Sequence, residues 1–131
     1  MTRLILAGLA LCAFAVVDQA WATPPPKGSD ADRELQRFTP EEQRWIASQH
    51  DMTGRYCCSL GDFDFVTVRE VDGGLQVKAK HPDVSRGIPQ DWLPVTEDKK
   101  ANLQGQKDVP DVVAAWFYNG RVQCVILGGG Y

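Results

Sequence analysis

The chain has 131 residues, of which 44% are hydrophobic and 24% charged, and its formal net charge is −3. This length and composition fit one small globular domain and exclude a fully disordered chain, which would have fewer apolar residues and a higher net charge. The acidic balance and the scattered lysines and arginines exclude the basic stripe that is typical of nucleic-acid-binding proteins. The sequence therefore predicts a small domain that binds no nucleic acid.

Residues 1–22 have the pattern of a secretory signal peptide. Arg3 precedes an apolar run from Leu4 to Val17, and Ala20-Trp21-Ala22 supplies the small residues that signal peptidase requires. The run is too short for a bilayer-spanning helix, which needs about 20 apolar residues. Cys12 lies within the run and follows a leucine, which disfavours lipoprotein processing. We therefore expect an exported protein, periplasmic or extracellular, that is not an integral membrane protein.

After the signal peptide we expect a tether over 23–38 and then a single β domain over 39–131. The tether is Pro-rich at its start, and a weaker helical pattern covers 31–37. Thr39 and Glu42 form a capping box around Pro40, so a helix is predicted from residue 40 to about 49.

From residue 61 the sequence changes to short β-type runs. Residues 63–71 are rich in β-branched and aromatic side chains, and 75–79 alternate apolar with polar ones, which predicts a hairpin around the intervening Asp-Gly-Gly. Two prolines confine 88–95 to an edge or irregular strand, and 97–108 is a polar loop. We therefore expect a mainly β (α+β) fold, a small antiparallel sheet or barrel of four to five strands with one N-terminal helix.

The last hairpin is predicted around Asn119-Gly120, the residue pair preferred in type I′ turns. A two-residue loop places Tyr118 opposite Arg121. Continuing that register outward puts six apolar residues on one face: Phe117, Val122, Ala115, Cys124, Val113 and Ile126. Cys124 is therefore predicted to point into the core, with Trp116 on the opposite face of the strand.

Three cysteines follow the signal peptide, and we expect two of them to form a disulfide. We predict a bond between Cys58 and Cys124, with Cys57 as the alternative partner of Cys124. Closing a loop of this length stabilises a protein by roughly 4 kcal/mol in the chain-entropy model. The odd count permits a covalent dimer. A vicinal Cys57–Cys58 bond with a redox role, and a metal site, are the alternatives.

No catalytic or cofactor motif stands out in the rest of the chain. His50 and His81 lack partners at metal-ligand spacing, so we expect no metal site. Asp62 and Asp64 resemble half of a calcium loop without its closing acidic residues, which favours a solvated pair on a strand. The chain also lacks the Gly-x-Ser-x-Gly elbow of serine hydrolases. Three tryptophans are interpreted as packing residues: Trp45, Trp92 and Trp116.

The order of motifs between residues 45 and 131 resembles a family of small exported proteins of proteobacteria, rhizobia especially, which have a Cys-Cys pair and a late C-terminal Cys. The matching residues are Trp45, Gly54, Cys57, Cys58, Asp62, Ile88-Pro89, Trp92, Val95, Gly120, Val122, Cys124 and Gly128 to Gly130. The segment after the Cys pair is shorter than the aspartate-rich one of some relatives. The resemblance implies an exported bacterial protein and implies no particular activity.

On these grounds we expect a non-enzymatic binding or interaction module whose partner is a protein or another ligand of the cell envelope. Two alternatives remain open. One is an envelope enzyme, either a thiol-redox protein that uses Cys57 or a small hydrolase. The other is a secreted enzyme inhibitor that presents the loop between Pro94 and Pro110.

Overall fold

A computed structural model describes residues 24–129 of the chain. The predicted signal peptide, residues 1–22, lies outside the described residues. Within 24–129 no helix is both long and apolar enough to cross a membrane. In the same range, two α-helices precede five strands. The elements are α1 (Asp30–Leu35), α2 (Pro40–Ser48), β1 (Asp62–Val71), β2 (Gly74–Ala79), β3 (Leu93–Val95), β4 (Val113–Tyr118) and β5 (Arg121–Leu127).

Both helices begin at capping residues that the sequence contains. Ser29 accepts a hydrogen bond from the Asp32 N–H at the start of α1. At α2, the Thr39 hydroxyl accepts from the Glu42 N–H at 3.1 Å, and the Glu42 carboxylate accepts from the Thr39 N–H at 2.9 Å. This confirms the predicted capping box, which satisfies two backbone donors that the first turn leaves without partners.

The five strands form one antiparallel sheet in the order β3-β2-β1-β4-β5. This confirms the expected mainly β fold, and the sheet curls into a half-barrel. Both predicted hairpins are present, because Asp72-Gly73 and Asn119-Gly120 each adopt the two consecutive positive φ angles of a type I′ turn. β3 is an edge strand, as the prolines at 89 and 94 predict, and Pro94 lies within it.

β1 is the strand that both halves of the sheet share. Its first part, Asp62–Phe65, pairs with β4, and its second part, Val66–Val71, pairs with β2. β1 passes from the β4–β5 hairpin to the β2–β3 ribbon between Phe65 and Val66, and the curl of the sheet brings its two end strands, β3 and β5, into contact. This change of partner is where the sheet curls.

The register of the last hairpin differs from the prediction because β5 contains a β-bulge. Phe117 pairs with Val122 as expected, but Trp116 pairs with Cys124, so Gln123 is an extra residue in β5. One extra residue reverses the side-chain alternation beyond it. Cys124 therefore lies on the same face as Trp116, and the predicted single face of six residues is wrong.

Each face of the β4–β5 hairpin carries a core as a result. The inner cluster fills the concave side of the sheet: Val66, Val77, Ala79, Ile88, Ala115, Phe117, Val122 and Val125. The outer cluster lies on the opposite side, where it includes residues of both helices and the disulfide: Leu35, Ile46, Cys57, Cys58, Phe63, Phe65, Ala101, Val112, Ala114, Trp116, Cys124 and Ile126. The bulge thus supplies apolar side chains to both clusters.

The segment between β3 and β4 crosses the outer edge of β5. The Ala101 N–H donates to the Val125 carbonyl at 2.7 Å, and Lys100 forms a parallel bridge to Val125. The Asn102 N–H donates to the His50 carbonyl at 2.8 Å, and the Gln106 side chain bonds to Trp45 and Gln49. This segment therefore covers part of one sheet edge and ties it to α2.

Candidate functional site

The disulfide joins Cys57 to Cys124, so the alternative partner forms the bond and the predicted pairing of Cys58 is wrong. Cys57 opens a 3₁₀ turn, and its N–H donates to the Gln49 carbonyl at 3.0 Å, next to the end of α2. The Cα atoms of Cys57 and Cys124 are 5.4 Å apart, which suits a disulfide. Adjacent residues of a turn point in different directions, so only one member of the pair can reach Cys124.

Both cysteines of the adjacent pair are fully buried. A thiol-redox enzyme needs an accessible thiolate, and a covalent dimer needs an accessible sulfur. Cys57 instead lies inside the outer cluster and is bonded to Cys124. The structure therefore gives the redox alternative no accessible sulfur at Cys57.

Asp64 and His81 form the main polar cluster of the described residues. Asp64 is fully buried, and its carboxylate accepts the Phe65 N–H at 2.8 Å and the His81 N–H at 2.7 Å. The His81 ring Nδ1 lies 2.8 Å from Asp64 Oδ1, and His81 Nε2 lies 3.7 Å from Glu34 Oε1. Lys80 Nζ lies 3.5 Å from the other oxygen of Glu34. The imidazole therefore lies between two carboxylates, one buried and one at the surface.

Burial raises the pKa of Asp64, because removal from water disfavours the charged carboxylate. The hydrogen bonds from His81 and Phe65 oppose this effect without cancelling it. The expectation of a solvated Asp62/Asp64 pair is thus wrong for Asp64. Asp62 differs, since it is partly exposed and lies 3.4 Å from Arg86. An oriented imidazole of this kind can lock the end of β2 to β1 or serve as a general base.

Asp51 is a second buried carboxylate, and its contacts are those of a turn. Oδ1 accepts the Thr53 N–H at 2.9 Å, the Thr53 hydroxyl at 2.7 Å and the Arg55 N–H at 3.1 Å. Oδ2 lies 2.9 Å from the Arg55 guanidinium. Burial alone would raise the pKa of Asp51. The hydrogen bonds from Thr53 and Arg55 together outweigh burial, so the pKa of Asp51 is lowered. Asp51 therefore acts as a structural anion that holds the loop 51–55.

Trp45, Trp92 and Trp116 lie in three different environments. Trp116 is fully buried in the outer cluster, where its ring centroid lies 5.1 Å from that of Phe63. Trp45 donates from Nε1 to Gln106 at 2.8 Å, and Trp92 lies under the Arg69 guanidinium at 4.1 Å. They do not converge on one ligand face. No three of the Cys, His, Asp and Glu residues between 24 and 129 are grouped as metal ligands.

A groove lies where β1 leaves β4. It has a volume of about 360 Å³, within the rough range of 300–1,000 Å³ that ligand sites occupy. Val66, Thr67 and Val68 form one wall, and Asp111, Val112 and Val113 form the other. Phe38, Phe65, Glu34 and Lys80 complete the lining. Glu34 and Lys80 connect the groove to the Asp64–His81 cluster.

Where it borders this groove, the backbone of β1 has no strand partner within residues 24–129. The Lys80 backbone N–H donates to the Phe65 carbonyl at 2.9 Å. Because hydrogen-bonded pairs alternate in an antiparallel ladder, the backbone groups of Thr67 and Arg69 also bond to β2. The N–H and C=O groups of Val68 and Glu70 therefore point to the opposite edge. The β4 pairing ends at Phe65, so in the described part of the chain no strand pairs with that edge. We call residues 67–70 the open edge of β1.

The chain matches no protein-family model, no curated protein sequence and no solved structure. The resemblance to small exported proteobacterial proteins therefore stays a prediction. The sequence pattern indicated the cysteines, but it did not indicate the open edge, Glu34, Lys80 or the role of His81. One signal for the edge exists in the sequence, because the β-type run of 63–71 is longer than the run that pairs with it at 75–79.

Proposed function

We propose that this chain is an exported, non-enzymatic binding module that takes up an extended peptide segment of a partner protein at the open edge of β1. One observation carries the proposal. Among residues 24–129, β1 has a strand partner on its β4 side only as far as Phe65, and a groove borders that side at Val66, Thr67 and Val68. An extended peptide that adds to a sheet edge gains main-chain hydrogen bonds, and side-chain pockets give specificity.

The surroundings of the edge support this use. Other edges of the sheet are protected, since Pro94 lies in β3 and residues 100–101 bond to Val125 of β5. The open edge borders apolar side chains, with Phe38 and Phe65 stacked at 5.8 Å at one end of the groove. Export is supported by the predicted signal peptide and by the buried disulfide, which persists in oxidising compartments.

The test is selection of peptides from a phage-displayed random library on the oxidised mature protein. We expect enriched peptides with alternating β-branched residues. Synthetic versions are then measured against two variants, Glu70→Pro and Glu70→Ala. The Glu70 N–H faces the open edge rather than β2, so proline removes a donor for the ligand and leaves the β1–β2 ladder intact.

Glu70→Pro is expected to weaken binding by about tenfold or more, because it removes one main-chain hydrogen bond and blocks close approach of the added strand. Glu70→Ala removes the same carboxylate and is expected to bind like the wild type. Thermal unfolding checks that both variants fold. Failure to enrich any peptide, or equal binding to folded Glu70→Pro, would overturn the proposal.

A small envelope hydrolase is the second candidate, and the Asp64–His81 pair is the observation that favours it. A buried carboxylate that orients an imidazole through Nδ1 is a common arrangement for a general base. The test is hydrolysis of a panel of nitrophenyl esters and of casein by wild type and His81→Gln. Turnover that disappears in a folded His81→Gln variant would support this candidate, and no turnover by the wild type would contradict it.

A further inference from the structure

We infer that the peptide bound at the open edge carries a lysine or arginine side chain that pairs with Asp111. This inference rests on the proposed function and specifies its ligand. The groove that borders the open edge has three charged side chains, namely Glu34, Lys80 and Asp111. Their arrangement leaves one charge available to a ligand.

Lys80 and Glu34 already neutralise each other. Their charged atoms are 3.5 Å apart, and Glu34 also lies 3.7 Å from His81 Nε2. An incoming side chain of either charge would have to compete with these contacts. The Glu34–Lys80 end of the groove therefore favours an uncharged ligand residue, next to the apolar surface of Phe38 and Phe65.

Asp111 is different, because it forms no ion pair with any of the residues that the structure describes. It is exposed on the wall of the groove that faces β1. The backbone around it is held in place, since the Gly128 N–H donates to the Val112 carbonyl at 2.8 Å and the Val112 N–H donates to the Pro110 carbonyl at 2.9 Å. The Asp111 carboxylate packs closely against Gly129, where an added Cβ would lie 2.0 Å from Oδ1, and this packing limits the conformational freedom that the carboxylate loses when it binds a cation.

The geometry of strand addition brings a ligand side chain to this position. An added strand lies about 4.8 Å from β1. Because Phe65 still pairs with Ala114, the added strand would begin beyond this pair and run along residues 67–70, with one end at the groove that Asp111 lines. Successive side chains of a strand project to opposite faces, so one peptide can place an apolar residue beside Phe65 and a basic residue beside Asp111. The net charge of −3 adds a weak attraction for basic ligands.

The same selected peptides test this inference. We expect enrichment of Lys or Arg at one position. Asp111→Asn is expected to weaken binding by about threefold to tenfold, as for a partly desolvated ion pair. Replacing the peptide lysine with norleucine should cost a similar factor in the wild type and almost nothing in Asp111→Asn. The matched control is Asp91→Asn, an exposed aspartate outside the groove lining, which should bind like the wild type.

The outcomes separate this inference from the proposal beneath it. Peptides that require the open edge but bind Asp111→Asn as tightly as the wild type would overturn the inference and leave strand addition standing. Peptides that bind folded Glu70→Pro as tightly as the wild type would overturn both the inference and strand addition. We expect both Glu70→Pro and Asp111→Asn to weaken binding. We also expect the replacement of the peptide lysine with norleucine to have almost no effect on binding to Asp111→Asn.

Discussion

Phe65 and Val66 are adjacent in the chain and pair with different halves of the sheet. Phe65 pairs with Ala114 of β4, whereas Val66 pairs with Ala79 of β2. At this exchange of partners the sheet curls, and beyond it no strand of the described residues pairs with the β4-facing edge of β1. The feature that shapes the fold therefore also creates the proposed binding site.

Loss of the disulfide should cost much of the stability of the domain. Cys57 and Cys124 are separated by 67 residues, so the chain-entropy model predicts a loss of about 4 kcal/mol in the free energy of unfolding for the double variant Cys57→Ala/Cys124→Ala. Urea unfolding under non-reducing conditions measures it. A double variant, or a Cys124→Ser variant, as stable as the wild type would contradict a stabilising role for this bond.

Asp51→Asn should be destabilising at neutral pH by about 1–3 kcal/mol, because the buried carboxylate accepts hydrogen bonds from Thr53 and Arg55 that an amide cannot all accept. The pKa of Asp51 is lowered in the folded state, so its contribution is present above about pH 4 and is lost as the pH falls further. The deficit of Asp51→Asn relative to wild type should therefore shrink between pH 7 and pH 3 in urea unfolding. A deficit that stays constant would contradict this explanation.

Asp64→Asn should show the opposite dependence on pH. Burial raises the pKa of Asp64, so the folded state holds this proton more tightly than the unfolded state. The contribution of Asp64 is then greatest below about pH 4 and is lost as the pH rises through the raised pKa. The deficit of Asp64→Asn should shrink as the pH rises from 3.5 to 6. A deficit that grows over this range would show that the hydrogen bonds to His81 outweigh the cost of burial.

Gly61 should not tolerate a side chain. A Cβ at Gly61 would lie 2.1 Å from the Phe117 carbonyl oxygen, so Gly61→Ala forces β1 and β4 apart. We expect a loss of about 2 kcal/mol in the free energy of unfolding. Gly74→Ala is the control, since its Cβ would be 3.4 Å from the nearest backbone atom and its cost should stay within about 0.5 kcal/mol. Equal effects of the two substitutions would contradict the close approach at Gly61.

The sequence allowed the local structure to be predicted where a few neighbouring residues determine it. Thr39, Pro40 and Glu42 act within one turn of helix, and Asn119-Gly120 adopts the positive φ angles that its residue types tolerate. The edge position of β3 follows in the same way, since Pro94 lacks the donor that an interior strand needs. Five antiparallel strands are consistent with these local signals.

The errors occurred where distant residues decide the outcome. Nothing about Gln123 marks it as the extra residue of a bulge, yet it moves Cys124 to the face of Trp116. The choice of Cys57 over Cys58 depends on where the turn after α2 meets β5. Asp64 looked like a surface residue because its partner, His81, lies 17 residues further along the chain.

The central claim is that a ligand strand adds to the open edge of β1, and amide hydrogen exchange followed by NMR tests it most directly. The mature protein is compared with and without a saturating amount of a selected peptide. The N–H groups of Thr67 and Arg69 already bond to β2, whereas those of Val68 and Glu70 face the open edge. We predict new protection at Val68 and Glu70 with little change at Thr67 and Arg69. Protection that spreads evenly over these residues, or that is confined to another part of the sheet, would contradict the claim.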